Sequence, residues 1–254
     1  SIGMAVAPLV ISYLIFYGTP LHDIRTEQFV VPLIILILLM LVIIFFVNRT
    51  QMPSIDNIRQ GPGETLEKSV WSFRHLKLGV WGIFFYVGIE VAVGANINMY
   101  ASELGGTFAT NATHMAALYW GLLLLGRFLG SFIKKVPSEK QLVIASIGAI
   151  ALLIFAMIAA NPWVLTGIGF FHSIMWPAIF TLAIDKLGKY TTKASGVLTM
   201  GVVGGGIIPF LQGIFADLLD GNWRWTWLLV IAGEVYILYY GINGYKLKTK
   251  GQEG

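Results

Sequence analysis

Apolar residues run in eight blocks along this chain, roughly 1–18, 28–48, 77–100, 113–134, 140–160, 163–186, 193–219 and 225–246. Each block is about 18 to 27 residues long. At about 1.5 Å of rise per residue, helices of that length cross the roughly 30 Å hydrocarbon core of a bilayer. The pattern predicts an all-α fold, a polytopic membrane helix bundle of eight transmembrane helices. Pro8, Pro32, Pro177 and Pro209 fall inside spans. Membrane helices tolerate such breaks where neighbours or water satisfy the freed carbonyls. Gly204, Gly205 and Gly206 precede Pro209, so the seventh span is the candidate gate.

The polar connections alternate in charge. Arg49, Arg59, Lys68, Arg74, Lys77, Lys134, Lys135, Lys140, Lys186, Lys189, Lys193, Lys246, Lys248 and Lys250 all fall on one side. The opposite connections hold only Arg25 and Arg224, and Arg127 lies within a span. The positive-inside rule makes the basic side cytoplasmic and brings both ends of the chain there. The net charge of +4 is thus a topology signal, and no nucleic-acid partner is expected. Residues are 56% hydrophobic and 12% charged, against about 25% charged in soluble domains. There is no cysteine, and the four His (His22, His75, His114, His172) lack ligand spacing. No metal site or cofactor is expected. Nucleotide and nucleophile motifs are missing too, so the chain is expected not to be an enzyme.

The longest connection, 49–76, carries Pro53, Gly61, Pro62 and Gly63 and reads as a cytoplasmic linker. Two helices precede it (1–48) and six follow (77–254). That division suggests the last two helices of an N-terminal bundle, a linker, and a C-terminal six-helix bundle.

The block 77–100 holds one carboxylate near its middle, Glu90. A charge at that depth costs about 2.5–3.5 kcal/mol on insertion scales and normally faces a bundle interior or a water-filled cavity. Glu90 is therefore the first candidate for binding substrate and for proton coupling. Tyr86 lies one turn away on the same face. Asn96 and Asn98 offer amides suited to hydroxyls, but Asn96 is rotated about 120° from Glu90 and Asn98 faces elsewhere again. Trp176, before Pro177, offers an indole face for stacking on an apolar ring surface, and His172 lies one turn earlier. Trp120 and its neighbour Tyr119 either line a cavity or belong to an interfacial aromatic belt. Gln212 completes the substrate-binding candidates. Glu234 is read as making a structural bond, and Arg127 as bonding carbonyls or snorkelling.

Several stretches together resemble a known family. FYVGIEVAVGANINMY (85–100), LYWGLLLLGRFLGSFI (118–133), SIMWPAIFTLAIDKLGKYTTKASG (173–196) and GGGIIPFLQGIFAD (204–217) resemble the fucose:proton symporter family of the major facilitator superfamily, which includes bacterial glucose/galactose transporters. GMAVAPLV (3–10) resembles the start of that family's fifth helix, and VVPLIIL (30–36) its sixth. The resemblance implies helices five to twelve, the C-terminal two-thirds of a major-facilitator fold, with helices one to four missing from this sequence. It implies a secondary active transporter in the cytoplasmic (inner) membrane, taking up a monosaccharide of the fucose, glucose or galactose class with a proton by alternating access. A carrier of another polar solute, such as a nucleoside, is the alternative within the class. A membrane-embedded enzyme or a channel subunit is the alternative outside it. An enzyme would need clustered acid/base groups at one depth, and the residues show a single strong intramembrane carboxylate.

Overall fold

The computed structural model describes Glu27 and residues 30–50, 66–132 and 135–247. Those residues form helices joined by turns, with no strand among them. The chain separates into two compact units, one of Ala7–Thr65 and one of Leu66–Gly254 with Ser1–Val6.

In the first unit, helix α1 (Val30–Arg49) carries VVPLIILILLMLVIIFFVNR. Its described apolar side chains from Val30 to Val47 are all exposed. A helix apolar on every face suits lipid or other helices and not water. The first apolar block, with Pro8, lies outside the described residues.

The second unit is a bundle of six helices. They are α2 (Arg74–Leu104), α3 (Ala112–Gly130), α4 (Ser138–Ala159), α5 (Trp163–Ile184), α6 (Gly188–Leu218) and α7 (Trp223–Gly244). All except α3 are long and apolar enough to cross a membrane. α3 is 19 residues long and carries His114 and Arg127 among its apolar positions.

α2 is the central element, with 61% of its most apolar stretch buried. α3, α5, α6 and α7 pack around it. Small residues bring the backbones together, as they do where hydrocarbon surrounds the helices and no water is left to expel. At the α2–α6 crossing, a Cβ on Gly204 would fall on the Phe84 carbonyl, and one on Gly88 would lie 2.8 Å from Ile208 Cβ. Higher on α2, a Cβ on Gly94 would collide with the Trp120 indole.

Two helices are broken along their length. α5 consists of Trp163–Thr166, Ile168–His172 and Met175–Ile184, with a turn at Ser173 and Ile174. Pro177 has no N–H, so the helix cannot close its usual bond to the residue 173 carbonyl. The Ser173 hydroxyl turns back onto the Phe170 carbonyl at 2.6 Å. α6 runs as Thr191–Thr199, a tighter 3-10 turn at Met200–Val203, and Gly204–Leu218. α7 ends in a π-helical turn at Tyr240–Gly244.

The two ends of the bundle differ in chemistry. At one end Arg74 donates to the Tyr239 hydroxyl (3.2 Å), Lys189 meets Glu67 (3.4 Å), and the Lys68 N–H reaches the Tyr190 hydroxyl (3.3 Å). These contacts join the starts of α2 and α6 to the end of α7. At the other end Glu103 accepts from the Trp223 N–H at 2.8 Å, and Arg224 donates to the Met157 carbonyl at 2.6 Å.

Candidate functional site

Glu90 lies in the middle of α2 with its side chain 9% exposed. Arg127 Nη2, from the last turns of α3, meets Glu90 Oε1 at 3.2 Å, and the Arg127 side chain is 35% exposed. The two charges therefore neutralise each other at a place where water reaches the cation more than the anion. α3 also holds Glu90 by its backbone, because the Tyr119 hydroxyl donates to the Glu90 carbonyl at 3.1 Å.

Behind Tyr119 the polar contacts continue. The Tyr119 oxygen lies 2.7 Å from His172 Nδ1, and His172 Nε2 lies 2.7 Å from Glu234 Oε1. His172 and Glu234 are fully buried. One network thus joins α2, α3, α5 and α7. Tyr86 is also fully buried, with its ring edge-on to the rings of His172 (6.1 Å) and Trp176 (6.2 Å).

Beside this network a cleft of about 610 Å³ lies between α3, α4 and α5. Its walls include Arg127, Ser131, Gln141, Ser173, Trp176 and Thr181. The volume falls within the range of small-molecule sites, roughly 300–1,000 Å³. The walls thus offer hydroxyls, an amide, a guanidinium and an indole.

The remaining candidates form a second group. Asn96 Nδ2 donates to Gln212 Oε1 at 2.9 Å, and Gln212 Nε2 donates to Thr226 Oγ1 at 3.0 Å. Gln212 is fully buried and spends both ends of its amide on protein groups. Asn98 is half-buried, and its Oδ1 makes no hydrogen bond among the described residues. Trp120 packs under Gly94, edge-on to Tyr119 at 5.0 Å. Of the gate candidates, Gly204 is locked in the α2 crossing and Gly205 packs against Val87. A Cβ on Gly206 would meet nothing within 4 Å among the described residues, and Pro209 lies inside the last segment of α6.

The structure therefore brings Glu90, Tyr86, His172 and Trp176 together. It places Asn96 and Gln212 on a separate hydrogen-bonded line. Three participants are not substrate candidates of the sequence reading: Arg127, Tyr119 and Glu234. Arg127 pairs with Glu90, where carbonyl bonding or snorkelling was expected. The usable signal was its standing as the one basic residue inside a span, since an intramembrane charge implies a partner of opposite sign. Among the described residues no group of three or more His, Cys, Asp or Glu is arranged to hold a metal.

A multi-pass bundle with broken helices and an ion pair in its interior is the architecture of a secondary transporter. The chain belongs to the major facilitator superfamily, whose family model matches residues 1–208. It is similar to the glucose/galactose transporter of Brucella abortus, 34% identical over 97% of this chain and 61% of that protein. It is also similar to the L-fucose-proton symporter of Escherichia coli, 27% identical over 77% of this chain and 46% of that protein. Its fold matches a crystal structure of the Escherichia coli fucose:proton symporter with a TM-score of 0.69, at 23% identity, over 93% of this chain and 64% of that one. The chain spans less than two thirds of the length of each. The family is one of transporters and not of enzymes, and the fucose:proton symporter resemblance read from the motifs is the one that the comparisons return.

Proposed function

We propose that this protein works in the uptake of a monosaccharide of the fucose, glucose or galactose class, coupled to a proton, across the cytoplasmic (inner) membrane by alternating access. In this reading residues 1–48 belong to an N-terminal bundle, 49–76 form a cytoplasmic linker, and 77–254 form the C-terminal bundle that contributes sugar contacts. The observation that carries the reading is the Glu90–Arg127 pair beside a cleft walled by Trp176. A carboxylate accepts two hydroxyl donors, a guanidinium donates to ring and hydroxyl oxygens, and an indole covers the apolar face of a pyranose. Tyr86 and His172 shape the wall behind them. Both similar proteins named above are described as sugar transporters, which supports the substrate class.

Proteoliposomes holding the intact protein test the reading with labelled L-fucose, D-glucose, D-galactose and a nucleoside. Saturable uptake of one sugar, driven by an inward proton gradient, is expected. Uptake of the nucleoside alone, or of none of the four, would overturn the substrate class. Glu90→Gln then separates two roles, because it keeps the shape and removes the carboxylate. If Glu90 binds sugar, exchange and accumulation weaken together through a higher KM. If Glu90 carries the coupled proton, accumulation fails while exchange persists. Wild-type behaviour in both would leave Glu90 with neither role.

A further inference from the structure

The polar network continues past Glu90 into a part of the bundle that no solute reaches. His172 and Glu234 are both fully buried, and they meet at 2.7 Å. The hydrogens of this network can be counted. Tyr119 has one hydroxyl hydrogen, and the Glu90 carbonyl, 3.1 Å away, can only accept it. The Tyr119 oxygen is then the acceptor for His172, so Nδ1 carries a hydrogen across the 2.7 Å contact. That leaves Nε2 facing Glu234 Oε1. Two bare acceptors at this distance repel, so one hydrogen lies between them. The pair is either imidazolium with carboxylate or imidazole with carboxylic acid. In both forms it has no net charge and holds the same proton.

The surroundings bring no net charge to that proton. The titratable groups facing the pair are Tyr119 from α3 and Tyr86 and Glu90 from α2, with Arg127 of α3 paired to Glu90. Arg127 and Glu90 already neutralise each other. α4 has no charged residue after Lys140. Removing the shared proton would leave an unpaired anion in a fully buried site, which is the costly case for buried charge. Glu234 Oε2 has no hydrogen-bond partner among the described residues, so nothing there is built to receive a second charge.

We propose that His172 and Glu234, sharing one retained proton, are positioning residues. Through Tyr119 they fix the turn of α2 that presents the Glu90–Arg127 pair to the cleft. α3 then clamps Glu90 twice, by Tyr119 at the carbonyl and by Arg127 at the carboxylate, and α5 and α7 set the first clamp from behind. The proton of the pair stays where it is during transport. What Glu90 does with sugar rests on the proposed function above, whereas the relay itself does not.

The test reads Glu90 directly, without any substrate. The intact protein in detergent is treated with a hydrophobic carbodiimide, and modification of Glu90 is followed by mass spectrometry. Tyr119→Phe, which removes only the hydroxyl, is expected to speed modification about fivefold, the factor one lost hydrogen bond carries. Glu234→Leu is expected to do the same. Glu234→Gln is expected to match wild type, since its amide donates to Nε2 and leaves Nδ1 protonated. The Tyr119→Phe/Glu234→Leu double variant is expected to be no faster than Tyr119→Phe alone, because both act through one hydroxyl. Multiplying effects in the double variant would overturn the relay. So would a Glu234→Gln rate as fast as that of Glu234→Leu. If Glu234→Leu does not fold, Tyr119→Phe and Glu234→Gln still decide the matter. In proteoliposomes the same Tyr119→Phe should raise the sugar KM while Glu234→Gln leaves KM and proton-driven accumulation unchanged. Lost accumulation with normal exchange in Glu234→Gln would show that the proton is transported and not retained. Absence of any sugar uptake by wild type would sink the proposed function and leave the carbodiimide result standing.

Discussion

Arg127→Leu is the perturbation that most directly measures how Glu90 is held. The substitution keeps much of the aliphatic volume and deletes the cation that meets Glu90 Oε1 at 3.2 Å. Breaking a fully buried ion pair on one side costs about 3–5 kcal/mol, because the other charge stays behind uncompensated. Here the carboxylate is 9% exposed and Arg127 is 35% exposed, so water screens part of the pair. That lowers the figure to about 2–3 kcal/mol. With about 2–4 °C of Tm per kcal/mol for a chain of this size, the expected drop is about 4–12 °C. The assay is thermal unfolding in detergent of wild type, Arg127→Leu, Glu90→Gln and the double variant. Glu90→Gln in the Arg127→Leu background removes the stranded charge and should recover most of the loss, since replacing both partners of a buried pair is far milder than removing one. A double variant as unstable as Arg127→Leu would show that the stranded carboxylate is not the cause. An Arg127→Leu variant that melts with wild type would show that the pair contributes nothing.

Other residues give sharp contrasts. Gly204→Ala pushes a Cβ into the Phe84 backbone and should cost about 1–3 kcal/mol, whereas Gly206→Ala meets nothing within 4 Å among the described residues and should be neutral in the same unfolding assay. Equal losses at both positions would refute crossing geometry as the reason. Gln212→Leu severs the Asn96–Gln212–Thr226 line and should lower stability by about 1–3 kcal/mol while leaving sugar KM near wild type. A raised KM with normal stability would make Gln212 a substrate ligand instead. Trp176→Ala should raise sugar KM roughly two- to twelvefold, from an aromatic contact of about 0.5–1.5 kcal/mol, with Trp176→Phe between the two. An unchanged KM in Trp176→Ala would remove it from the sugar site. Cysteines placed at Asn57 and Gln252 should both resist an impermeant thiol reagent in intact cells and both react in inverted vesicles, because their flanking basic residues share one side. Labelling of only one of them in intact cells would break the topology.

How far the molecule can be read from its residues depends on what each feature requires. Spans are readable because hydrocarbon leaves the backbone little choice except helix, so apolar length predicts α1 and α4 to α7 nearly whole. Their ends are harder to read. α2 continues through Arg74 at one end and Leu104 at the other, since a helix outlasts its apolar stretch wherever polar side chains reach water. Breaks are readable where a residue lacks a donor, as at Pro177, and not where packing tightens a turn, as at Met200–Val203.

Depth alone singles out Glu90, but depth does not say which faces meet. The rotation of about 120° between Glu90 and Asn96 correctly implies different neighbours, and the structure supplies Arg127 for one and Gln212 for the other. Naming those neighbours needs the rotation and height of α3 and α6 against α2. Those are set by close contacts such as Gly94 with Trp120 and Gly88 with Ile208, made between residues far apart in the chain. Arg127 reads as lying near the end of its helix, yet its long side chain crosses to mid-depth on α2. Glu234 lies in the last span, far along the chain from His172, yet the two are sealed together. In both cases the partner is fixed by a crossing and not by a motif. The polar residues of such a bundle are therefore best read as charges that must be balanced somewhere in the interior. Arg127 with Glu90 is one such balanced pair, and His172 with Glu234 is the other.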